Sequence, residues 1–120
     1  MRKFAIVAIS ALFLAPVAAS ADSWTGQLVD TRCMAMNAKN NGQDHKGGAL
    51  KGCATACAKM GIPVALLVDG KMHTLAAPAA LLAPHMAKTA TVEGKATGSG
   101  IILPMKVMVD GKEVNLKAMM

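Results

Sequence analysis

After Trp24 the chain contains no aromatic residue, and the whole sequence of 120 residues holds one Trp, two Phe (Phe4 and Phe13) and no Tyr. A folded core has to be built from Val, Leu, Ile, Ala and Met, each of which buries less surface than a ring. At this length there is room for one small domain. A thin aliphatic core in a small domain needs a staple, and three cysteines, Cys33, Cys53 and Cys57, are the only residues that could supply one as a disulfide.

Both Phe residues lie in the first twenty positions, where Arg2 and Lys3 precede an apolar run from Phe4 to Val17 and Ala19-Ser20-Ala21 has the small-x-small form of a signal peptidase site. The run of about 14 residues is short for a bilayer span of roughly 20. Residues 1–21 are therefore expected to be a signal peptide cut after Ala21. The expected product is a single periplasmic or secreted domain, 22–120, with no membrane attachment after cleavage.

That segment carries eleven basic and seven acidic side chains, with the lysines scattered singly. Nucleic-acid binding needs a clustered basic stripe and, for single strands, aromatic platforms, neither of which is present. One ring is also too few for carbohydrate stacking.

Ser23 to Asp30 alternates with period two and reads as a strand, with Gly26 marking a bulge or close backbone approach. Thr31 to Gly48 has no sustained apolar period and reads as a long loop. Ala49 to Met60 reads as a three-turn helix with Cys53 and Cys57 one turn apart on one face, stopped by Gly61. Val64–Val68 and Lys71–Leu75 flank an Asp69-Gly70 hairpin turn, and Pro78 opens a short helical piece, AALLA, that ends before Pro84. Strands over 87–97, 101–109 and 112–117 follow, joined by Gly98-Ser99-Gly100 and Asp110-Gly111, with Pro104 at an edge or bulge. About six short strands and two helical pieces predict a mainly β protein, a small closed or partly open barrel.

The opening Trp24-Thr-Gly-Gln-Leu-Val-Asp30, then Cys33, then Cys53-Ala-Thr-Ala-Cys57-Ala-Lys-Met-Gly61 and the late Thr91-Val-Glu-Gly-Lys-Ala96 resemble a family of small secreted bacterial domains of uncharacterised function. The resemblance covers most of residues 22–120 and implies an OB-like β-barrel. In the family pattern a His stands three residues before the first helix Cys. Here Leu50 occupies that place and the nearest His is His45.

The cysteines admit two chemistries. Cα atoms four apart on an ideal helix are about 6.2 Å apart with nearly parallel Cβ vectors, so a Cys53–Cys57 disulfide would be strained. Cys33 with Cys53 or Cys57 is the better pair, closing a loop of about 20 residues and stabilising by roughly 3 kcal/mol. This gives a disulfide-stapled structural or protein-binding module whose partner would be an unidentified periplasmic protein. Alternatively the thiols stay reduced and hold a soft metal ion, copper or zinc, on Cys33, Cys53 and Cys57 with His45 or Met36 completing the set. Nine methionines in 99 residues, with Met34 and Met36 flanking Ala35, favour copper over zinc.

Other residues read more simply. Met72, Met105 and Met108 are expected in the core as gap-fillers, His73 on a strand, His85 in a loop, and Trp24 packed under the long loop. No C-x-x-C, C-x-x-C-H, G-x-S-x-G, H-E-x-x-H or phosphate-binding loop is present. A C-x3-C pair in mid-helix lacks the helix N-terminal thiol of a redox enzyme. No catalytic residue is nominated.

Overall fold

The computed structural model describes residues 21–40 and 52–119. The expected signal peptide, apart from Ala21, and His45 lie outside the described residues. The protein is mainly β. Six strands, β1 (Asp22–Asp30), β2 (Val64–Val68), β3 (Lys71–Thr74), β4 (Thr89–Ala96), β5 (Ile102–Val109) and β6 (Lys112–Glu113), form one antiparallel sheet in the order β3-β2-β1-β4-β5-β6. The sheet does not close fully. Just past β3, however, Leu75 makes a parallel bridge to Ile102, and the Ala76 N–H donates to the Ile102 carbonyl at 2.9 Å, drawing the end of β3 against β5. The result is a partly open, OB-like barrel.

Two short-range signals drive the pairing. Asp69-Gly70 and Asp110-Gly111 both place two successive residues at positive φ (49° and 77°, 53° and 74°), the tight hairpin geometry whose twist matches the flanking strands. Gly26 and Gly94 mark where neighbouring backbone comes closest: a Cβ on either would collide with the carbonyl of Leu67 or Leu103. Beside Gly94 the β4–β5 register slips, pairing Glu93 with Lys106 and Gly94 with Pro104, so Met105 is the extra residue of a bulge. Pro104 thus sits at a bulge, where its missing N–H costs least.

Inside the barrel lie Leu28, Val64, Leu66, Val92, Ile102 and Val107, all at most 1% exposed. Trp24 is half-buried and packs against this aliphatic core, and much of the long loop expected to cover it lies outside the described residues. The methionines differ from expectation. Among the described methionines Met86 is the one in the core, whereas Met72 and Met105 are 38% and 67% exposed, because β3 is an edge strand and Met105 stands on the bulge.

Among the described residues three α-helices cover one end: α1 (Thr31–Met36), α2 (Cys53–Lys59) and α3 (Ala79–Leu82). α1 lies where the sequence reads as loop, since six residues are too few to show a helical period. α3 does not stop the helical path before Pro84: a 3-10 turn, Ala83–His85, runs on through it. α2 begins at Cys53, with Gly52 in a left-handed conformation at its cap, and residues 49–51 of the expected helix lie outside the described residues. It ends as expected at Gly61, whose N–H donates to the Ala58 carbonyl while the Ile62 N–H donates to that of Cys57. β6 is shorter than the expected strand, because the Asn115 side chain accepts from the Lys117 N–H and turns the chain into a 3-10 helix, Leu116–Met119. No helix among the described residues is long and apolar enough to cross a membrane.

Candidate metal centre

The barrel ends where β1 meets α1, and Asp30 makes the junction. Its backbone is extended and its Oδ1 accepts from the Arg32 N–H at 2.8 Å, capping α1. One turn on, the capped helix turns Cys33 inward to 3% exposure, and its carbonyl accepts from the Asn37 N–H and from Asn40 Nδ2, both at 3.0 Å. α2 packs against β1 and α3 and supplies Cys53 on its first residue and Cys57 one turn later. Cys57 is 5% exposed and Cys53 half-buried.

These elements bring the three Sγ atoms within 4.8 Å of one another, with Cys33 and Cys53 at 3.6 Å. The three cysteines lie close enough to hold a metal ion. All three are free thiols, and 3.6 Å is well beyond the ~2.05 Å of a disulfide. Cys53 is not in mid-helix, as the sequence suggests, but opens α2.

Asp30 is the residue that sequence reading missed. It is 3% exposed, and its second carboxylate oxygen, Oδ2, is buried without a partner of standard hydrogen-bond geometry. The carboxylate nevertheless bears on the thiols of Cys33 and Cys57. A nearby negative charge disfavours the thiolate form. Burial first, and Asp30 second, push Cys33 well above the ordinary thiol range and Cys57 up to about 11. Both sulfurs are therefore protonated at neutral pH, and a metal ion must displace their protons. The clue in the sequence is Asp30 itself, a preferred helix cap just before the cysteine segment.

Of the other expected ligands, His45 lies outside the described residues. Met36 stands 68% exposed at the end of α1, and Met34 is half-buried. His73 lies on β3 opposite Leu66, and His85 lies in the turn after α3 with a buried, unpartnered Nδ1. Neither joins the cysteines, and among the described residues no further His, Cys, Asp or Glu completes their group. Compared with protein-family models, curated proteins and solved structures, the chain finds no match, so the reading of the centre rests on its own residues.

Proposed function

We propose that this chain is an exported, non-catalytic protein that holds one soft metal ion, copper ahead of zinc, on Cys33, Cys53 and Cys57. The observation that carries the reading is the gathering of three sulfurs within 4.8 Å by two separate helices. An all-sulfur set suits a soft cation, and three donors are enough for Cu(I). Zinc in a structural site takes four ligands in a tetrahedron with sulfurs about 3.8 Å apart, given Zn–S near 2.3 Å. The Cys33–Cys53 spacing of 3.6 Å is near that value, but a fourth ligand is needed. Exposed thioethers at Met36 and Met60 add weak sulfur donors to the surface of α1 and the end of α2, which favours copper further.

The test is a titration of the reduced, metal-free protein with Cu(I) against a competing chelator, with Zn(II) in parallel. One Cu(I) per chain, lost in Cys53→Ser and Cys57→Ser, is expected. No retained metal with three titratable thiols would overturn the reading.

One observation favours a second reading. At 3.6 Å a small movement would join Cys33 to Cys53, giving a disulfide-stapled module with a protein partner. Protein isolated without reductant would then show one free thiol in place of three.

A further inference from the structure

The charge around the centre bears on what it holds. The three sulfurs form a compact set with no fourth described His, Cys, Asp or Glu donor in the group, two of the three are buried, and the buried Asp30 carboxylate, one oxygen unpartnered, caps the helix that carries Cys33 and acts electrostatically on both buried thiols. Three thiolates around a monovalent ion would put a net negative complex against a buried carboxylate, at an electrostatic cost that low exposure to water does little to relieve. A ligand that joins three sulfurs without creating charge avoids that cost.

We propose that the Cys33–Cys53–Cys57 centre also takes up trivalent arsenic, presented as uncharged arsenous acid, as a three-coordinate sulfur complex. This rests on the reading of the cysteines as a soft-ion centre and names a further ligand for it. The step is a condensation. Three As–O bonds and three S–H bonds break, three As–S bonds form, and the three hydroxyl groups leave with the three thiol protons as water. Arsenic remains trivalent and no electron is transferred.

The experiment adds sodium arsenite to the reduced, metal-free protein and reads the native mass and the count of reactive thiols. One arsenic per chain, a mass gain of one arsenic less three hydrogens, and loss of all three thiols are expected. Cys53→Ser, at a half-buried position, should weaken uptake about 100-fold or more by forfeiting one of three linked donors. Asp30→Asn keeps an oxygen for the Arg32 N–H and removes the charge. It should lower the ratio of arsenite to Cu(I) affinity about tenfold, the scale of one nearby charge in a partly screened site. Cu(I) binding without arsenite uptake, or uptake that consumes only two thiols, would overturn this inference and leave the proposed function standing. Binding of neither would overturn both.

Discussion

The sulfurs of Cys33 and Cys53 stand 3.6 Å apart although twenty residues separate them in sequence. They meet because Asp30 caps α1 at the end of β1, while Gly52 starts α2 with Cys53 as its first helical residue. The contact is thus made by the ends of two short helices, and loss of either cap would displace a sulfur.

Asp30→Ala should remove both the cap and the charge, and Asp30→Asn only the charge. The Ala variant is expected to lose about 0.5–2 kcal/mol of stability, the usual range for an N-cap. The Asn variant should be less affected, while its Cys33 and Cys57 thiols react with alkylating agents at lower pH than in the parent. Denaturant unfolding and thiol alkylation across pH check the two effects separately.

The pH dependence of the reduced, metal-free protein follows from Cys57. Its thiol ionises at about 11 when folded, above the 9.0 of an unperturbed cysteine. An unfolded chain loses this proton first, so the stability is fully present below about pH 9 and is lost as pH rises toward 11, with a slope of up to about 1.4 kcal/mol per pH unit per group. Cys33 acts in the same direction. A urea midpoint unchanged between pH 8 and pH 10.5 would contradict this.

Metal binding should reverse that trend, since it consumes thiolates. Cu(I) affinity is expected to rise with pH, and at a free concentration one hundred times its Kd the ion should stabilise the fold by about 2.7 kcal/mol. Thermal unfolding with and without a Cu(I) chelator measures it.

In the barrel, Gly26→Ala and Gly94→Ala each force a Cβ onto a neighbouring carbonyl and should cost about 1–3 kcal/mol, the range for overpacking. Gly98→Ala meets open space and should stay within about 0.5 kcal/mol of the parent. Leu66→Ala, at 0% exposure in a core without rings to fill the void, should cost about 2–5 kcal/mol. Unfolding curves of the four variants, followed by far-UV circular dichroism, rank them.

Legibility varied with the range of the signal. The Asp-Gly turns, the β2 limits Val64–Val68 and the stop at Gly61 were readable because each depends on a few adjacent residues. The burial of Met86 and the exposure of Met105 were not. All the methionines have the same chemistry in sequence, and only strand position and the bulge at Gly94 separate them.

The sequence by itself determined the strand count, the aliphatic core and the identity of the three sulfurs, since these follow from period-two alternation, missing rings and a count of cysteines. Only the tertiary structure decided that the sulfurs converge and that Asp30 is buried at the head of the helix that carries Cys33. Convergence requires two helix ends, far apart in the chain, to be docked on one end of the barrel, and no local pattern encodes that distance.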